Sequence, residues 1–259
     1  MKLPEWLIRL LMITAFPMDP PKPFGVFHIT ALVLSILIPV LLIRLFPVKD
    51  KAKAEGILVI LGWVLAISEV YKQLFFYVII NSRRYDIWYF PFQLCSMGMY
   101  LAILLPILKG RAKRTAFTFL VSFSLPGAVL ALLFPEGMLR SYWTMTLHGF
   151  FWHAILVYMA LVVCQARLAD FSNRGFFDAM VLYLGLAGTA VILNLVLTPL
   201  SSYGTPDFFY LSPYIKTSQF FFRVVAEHFG IRIEHIVYVA LYILLCYLTH
   251  RAARRLVSD

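Results

Sequence analysis

A thiol and several imidazoles are the side chains of this sequence that are best suited to covalent chemistry. Cys95 lies in the stretch "FPFQLCSM", and His148 and His153 lie in "LHGFFWHA". A thiol becomes a nucleophile when a base takes its proton, and histidine is the usual base. A thiol beside imidazoles suits acyl transfer or acyl hydrolysis on a lipid that enters from the side, within the bilayer.

Other polar side chains would assist such chemistry. Gln93, Asn194 or Lys72 could stabilise an oxyanion. Glu69 stands three residues before Lys72, on the same face of a helix, so these two charges could instead simply neutralise each other. The sequence "IRIEH" adds Arg232, Glu234 and His235, of which the first two could equally be anchors at the membrane interface.

The composition places these residues in a membrane protein. The chain is 61% hydrophobic and only 14% charged, whereas a soluble domain usually has about 25% charged residues. We therefore expect an all-α, polytopic transmembrane helical bundle. The net charge of +10 does not predict a nucleic-acid partner, because the Lys and Arg residues lie in short loops, where they set topology and contact anionic lipids. Membrane lipids are the expected partners.

The apolar stretches predict about seven spans and one domain. Residues 1–24 form an interfacial amphipathic helix and a Pro-rich linker, residues 25–250 a single transmembrane bundle, and residues 251–259 a basic cytoplasmic tail. No cleaved signal peptide is expected, because the first residues lack a cleavage site. The predicted spans lie near 25–46, 56–80, 88–108, 115–134, 143–166, 178–199 and 231–250.

The distribution of Lys and Arg predicts the orientation. With Lys72 and Arg232 left out because they lie within spans, 13 of these residues fall on one side of the membrane and 8 on the other. Since the side richer in Lys and Arg is usually cytoplasmic, we expect the N-terminus outside and the C-terminus inside.

With this topology, the polar residues of five spans fall at one depth, on the non-cytoplasmic side, and this predicts a shared polar pocket. Each residue alone could be structural, and a non-catalytic protein that binds or transports lipid could use the same pocket. A metal site built from His148, His153, His235 and Glu69 is disfavoured, because residues five apart diverge by about 140° on a helix. We expect no metal and no cofactor.

Several motifs carry a family resemblance. The stretches "FPFQLCSM", "FSLPGAVLALLFPEG", "YWTMTLHGFFWHAILVYMAL", "ILNLVLTPLSSYG" and "DFFYLSP" occur in the order and spacing that are typical of the YwaF-like bacterial integral membrane proteins. That family is similar to a eukaryotic membrane acyltransferase that makes polyunsaturated ether phospholipids. More distantly it resembles the androgen-induced membrane hydrolases of fatty acid esters of hydroxy fatty acids.

The resemblance implies a helical bundle in the bacterial cytoplasmic membrane, with the catalytic nucleophile at Cys95 and the catalytic histidine at His148. It also places the polar residue of the sixth span at Asn194. The sequence departs from the family at Gln93, where the bacterial relatives usually have a histidine.

Overall fold

The computed structural model describes residues 3–217 and 219–258, and within these ranges the secondary structure is helical. The helices are α1 Glu5–Ile13, α2 Val26–Leu45, α3 Lys51–Phe75, α4 Leu94–Leu104, α5 Gly110–Phe119, α6 Leu125–Leu133, α7 Trp143–Gln165, α8 Asn173–Leu197, α9 Phe220–Phe229 and α10 Ile231–Ser258. One π-helical segment extends α3 over Phe76–Ile80, and another joins α5 to α6 over Leu120–Ser124.

Helix α7 lies at the centre of the bundle. It contacts α2, α3, α4, α6 and α10, and residues such as Met159, Ala160 and Val163 on it are fully buried. Helix α5 packs on α8, and α9 packs on α10. His148 on α7 reaches α3, and Trp152, one turn later, reaches α4.

In the described part of the chain, six helices are long and apolar enough to cross a membrane. The prediction of a full third span at 88–108 is wrong in its extent, because α4 covers only Leu94–Leu104, about 16 Å at 1.5 Å per residue. Pro91 accounts for the late start: proline disfavours helix at the preceding residue, and Phe90 is extended (φ −53°, ψ 133°).

Two further differences from the predicted elements have local causes. Helix α5 begins at Gly110, five residues before the predicted start at 115. The buried π-helical segment after it ends just before Pro126, where the missing N–H of proline would otherwise interrupt a regular α-helix. Residues 251–258, predicted as a separate tail, continue α10.

The two ends of the bundle differ in character. The end of α3 and the starts of α4, α7 and α10 lie at what we call the polar end, together with the end of α8 and the loop after it. The starts of α3, α5 and α8 and the end of α10 lie at the opposite, basic end.

Candidate functional site

Helices α3, α4 and α7 bring Cys95 and His148 to the same part of the polar end. His148 Nε2 donates to the Ser68 carbonyl at 3.2 Å, and Trp152 Nε1 donates to the Cys95 carbonyl at 3.3 Å. The rings of His148 and Trp152 are 5.7 Å apart between centroids. Trp152 therefore bridges the two predicted catalytic residues, in what we call the thiol–histidine cluster.

The hydrogen bonds define which imidazole nitrogens can act as bases. Because a carbonyl only accepts, the Ser68 contact puts the proton of a neutral His148 on Nε2 and leaves Nδ1 as the acceptor. His153 is buried, and its Nδ1 donates to the Gly149 carbonyl at 2.7 Å. In their protonated forms, His148 and His153 would each interact electrostatically with Lys72, and His148 also with His153. Both imidazoles thus belong to the same cluster, with opposite tautomers.

Cys95 and His148 do not touch in this state. Among the residues that the structure describes, no hydrogen bond joins the Cys95 thiol to either imidazole. Catalytic hydrogen bonds in unliganded enzymes are often long and tighten only when substrate binds. The two residues are neighbours on adjacent helices rather than a formed pair.

A partly buried ion pair on α3 belongs to the same cluster. Lys72 Nζ is 2.8 Å from Glu69 Oε2, so the two charges pair with each other, as one of the two interpretations of their spacing expects. Glu69 Oε1 accepts from Gln73 Nε2 at 2.6 Å, and the same nitrogen donates to the Tyr89 carbonyl at 2.5 Å. Lys72 also lies 6.0 Å from the centre of the Trp152 ring. Both charges also interact electrostatically with Cys95.

The cluster also contains a buried acceptor without a donor. Gln73 Oε1 has no hydrogen-bond partner among the described residues. Glu69 Oε2 also lacks a hydrogen bond, but Lys72 compensates its charge. Buried polar atoms are nearly always paired, so the amide oxygen of Gln73 is available to a donor from a ligand, such as a hydroxyl or an ammonium group.

Next to this cluster, the guanidinium group of Arg140 packs against three aromatic rings. Arg140 lies 5.5 Å from the Phe76 ring, 5.8 Å from Trp88 and 5.4 Å from Tyr89. Its Nη1 donates to the Tyr89 hydroxyl at 3.2 Å. These contacts fix the irregular chain before α4 over the end of α3.

The remaining predicted site residues form a second group, which we call the amide clamp. Gln93 Nε2 donates to the Asp207 carbonyl at 2.8 Å, and its Oε1 accepts from Phe209 N–H at 3.0 Å. Asn194 Nδ2 donates to the Phe208 carbonyl at 3.1 Å, and its Oδ1 accepts from Phe208 N–H at 2.8 Å. Both amides thus bind the backbone of the loop after α8, so Gln93 and Cys95 face different neighbours.

Two buried carboxylates lie beside the amide clamp. Asp207 accepts from the Ser212 N–H at 3.0 Å, and burial raises the pKa of Asp207 to about 6. Glu234, also buried, interacts electrostatically with Asp207, and its Oε2 is 3.4 Å from His235 Nε2. Arg232 is exposed. In the described ranges, no group of three His, Cys, Asp or Glu residues is arranged to hold a metal ion.

Sequence reasoning did not identify Trp152 or Asp207. Nothing in the sequence distinguishes a tryptophan that only packs in an apolar span from one that links two site residues. Asp207 lies in the loop "YGTPDFFYLSPYI", where an aspartate normally faces water, and nothing local predicts its burial.

The comparisons with known proteins identify the family. A model of the TMEM164 family matches residues 23–250, a range that includes the thiol–histidine cluster and the amide clamp. No curated protein and no solved structure matches the chain. With its apolar helices, the chain is an integral membrane protein that belongs to the TMEM164 family.

Proposed function

We propose that the protein is a membrane-embedded lipid acyltransferase or acyl hydrolase, with Cys95 as nucleophile and His148 as base. The observation that carries the proposal is that Trp152 contacts both Cys95 and His148, while the Lys72 ammonium interacts electrostatically with both of them. A nucleophile, a base and a positive charge are the groups that acyl transfer requires.

In the first step, His148 Nδ1 takes the proton of the Cys95 thiol, and the sulfur attacks the carbonyl carbon of a lipid ester. The C–O bond breaks, the acyl group stays on sulfur as a thioester, and the alcohol leaves with the proton from His148. In the second step an acceptor hydroxyl or water attacks the thioester. Its proton passes through His148 back to the sulfur, which restores the thiol.

Two further observations support this assignment. The unpartnered oxygen of Gln73 offers a hydrogen bond to an acceptor hydroxyl, on the residue whose amide nitrogen donates to Glu69. The resemblance to YwaF-like proteins and to the ether-phospholipid acyltransferase also implies Cys95 and His148. Gln93 binds the loop backbone with both polar atoms of its amide, so the position at which YwaF-like proteins usually have a histidine supplies no base here, and we assign that role to His148.

A non-catalytic lipid-binding or transport protein is the second candidate. One observation favours it: in the part of the chain that the structure describes, Cys95 makes no hydrogen bond to an imidazole. In that case Lys72 and the Gln73 oxygen would bind a lipid head group without reaction.

Covalent labelling separates the two. The purified full chain is incubated with a lipid-like fluorophosphonate or acyl-phosphonate probe, and intact mass spectrometry counts adducts. We expect one adduct on the unmodified protein, none on Cys95→Ala, and labelling slowed by about 100-fold or more on His148→Ala. Cys164→Ala is the matched control, because Cys164 is also half-buried in a span.

The outcomes are distinct. Labelling that survives in Cys95→Ala would overturn the nucleophile, and slowing in His153→Ala but not in His148→Ala would move the base to His153. If no protein variant is labelled while a photoreactive lipid still crosslinks to the polar end, lipid binding without catalysis becomes the conclusion.

A further inference from the structure

A cavity of about 270 Å³ lies at the basic end, away from the thiol–histidine cluster. It is enclosed by the start of α5, the loop before α8 and the first turn of α8. Its charged lining consists of Arg111, Arg114, Asp170, Arg174 and Asp178. Nothing in the proposed acyl chemistry uses these residues.

The charges that line the cavity do not balance. Arg111 Nε donates to Asp178 Oδ2 at 2.6 Å, and Nη2 donates to Oδ1, so this pair is a bidentate fork. Asp170 is held by the Ser172 N–H at 2.9 Å. Arg114 and Arg174 reach these carboxylates only at longer range, and neither forms an ion pair within the described ranges. Three guanidinium groups thus face two carboxylates, which leaves one positive charge in excess.

The backbone adds to the positive potential. Helix α8 begins at this cavity, with Ser172 Oγ accepting from Gly175 N–H at 3.1 Å, and α5 begins at Gly110 beside it. Helix N-termini carry a partial positive charge and favour anions. Gly175 permits the arrangement, because a Cβ there would lie 2.1 Å from the Asp170 carbonyl oxygen.

The position of the cavity indicates its ligand. It opens where two apolar helices begin, at the level of lipid head groups, and both Arg114 and Arg174 are exposed there. Guanidinium groups bind phosphate oxygens in a planar, bidentate manner, and basic pockets between membrane helices commonly hold anionic head groups.

We propose that this cavity binds a phosphate group, with Arg114 and Arg174 as its ligands and Arg111 held in place by Asp178. The phosphate belongs either to an anionic membrane lipid or to a dissolved phosphate compound. The site is independent of Cys95 and His148, so it stands whether or not the protein is an acyltransferase.

The test uses the full chain in two arms. In the lipid arm, phosphatidylcholine nanodiscs with and without phosphatidylglycerol are compared by native mass spectrometry of the retained lipid. In the soluble arm, inorganic phosphate is titrated against the protein in neutral detergent, with thermal unfolding as the readout. A lipid that is retained without any response to phosphate identifies the membrane as the source, and a response to phosphate identifies a dissolved ligand.

Arg114→Gln/Arg174→Gln is the decisive variant. We expect it to weaken binding by about tenfold or more for each arginine removed, since each removal takes away charge-assisted hydrogen bonds to the phosphate. Arg251→Gln/Arg255→Gln, on α10 at the same end, removes the same charge outside the cavity and should retain binding. Both arginines of the decisive variant are exposed, so we expect it to fold, and single replacements provide a second measurement if it does not.

Equal loss in the two double variants would overturn the proposal, because binding would then follow net charge rather than the cavity. Absence of saturable binding in both arms would overturn it as well.

Discussion

Asn194 holds the main chain of Phe208 with both polar atoms of its side-chain amide, through distances of 2.8 Å and 3.1 Å. Gln93 binds the flanking residues in the same way, so two amides hold three consecutive residues of the loop after α8. Phe209 and the following Tyr210 have positive φ values of 59° and 56°. Non-glycine residues rarely adopt this conformation, so the amides maintain a strained turn.

The first prediction follows from this clamp. Asn194→Ala should lower the free energy of unfolding by about 1–3 kcal/mol for each buried backbone group left unpaired. Gln93→Ala should cost less, because Gln93 is only half-buried. Thermal unfolding in detergent measures both, with Ser201→Ala in the same loop as a control whose bonds are exposed. Equal, small effects of all three would show that the clamp does not hold the loop.

The second prediction concerns pH. Burial raises the pKa of Asp207 to about 6, so the folded state favours the protonated form. The contribution of Asp207 to the free energy of unfolding is fully present below the unfolded pKa of about 4. It is lost as the pH rises from about 4 through the folded pKa of about 6, by roughly 3 kcal/mol.

Asp207→Asn should abolish that pH dependence, because an amide does not titrate. The side-chain oxygen of the asparagine can still accept the hydrogen bond from Ser212 N–H. The neighbouring Glu234 and Tyr238 remain in this variant, so only the contribution of Asp207 changes. We therefore plot the free energy of unfolding of the two proteins against pH between pH 4 and pH 7, and we expect the two curves to converge at low pH. Curves that stay parallel over this interval would contradict the assignment.

The third prediction tests the coupling of Glu69 and Lys72. Glu69→Gln or Lys72→Met alone should destabilise the protein by about 1–3 kcal/mol, because each leaves its partly buried partner without its charge-assisted contact. The double variant should cost less than the sum, with a coupling energy of about 0.5–3 kcal/mol. Thermal unfolding of the four proteins completes the cycle. Additive costs would mean that the 2.8 Å contact contributes no stability.

The fourth prediction is the orientation. In a protein whose own cysteines are replaced by alanine, a cysteine at Ser202 should react with an impermeant maleimide in intact cells, and one at Ser258 should not. The imbalance of Lys and Arg between the two ends is the reason. The reverse pattern would place the polar end at the cytoplasm.

The long helices could be predicted from sequence because each is a continuous apolar run, and hydrocarbon forces such a run to satisfy its own backbone hydrogen bonds. The extent of α4 could not, because the residues before it are apolar too. What shortens α4 is the backbone of Phe90 before Pro91, together with tertiary partners such as the Gln73 side chain that binds the Tyr89 carbonyl.

The candidate site was predictable in its members but not in its grouping. Sequence gives the depth of a residue in a span, which is why polar side chains of several helices were expected at one end. Depth does not tell which helices are neighbours. Cys95 faces α3 and α7, whereas Gln93, two residues earlier and still extended, faces the loop after α8. A single predicted pocket therefore becomes two clusters.

The short α4 has a consequence for the charge that a reaction would create. Because the helix begins at Leu94, Cys95 lies in its first turn. The first turn of a helix presents unpaired N–H groups and the positive pole of the helix dipole. A thiolate or an oxyanion at this position would lie near the positive pole of α4, which would offset part of the cost of placing a charge inside an apolar bundle.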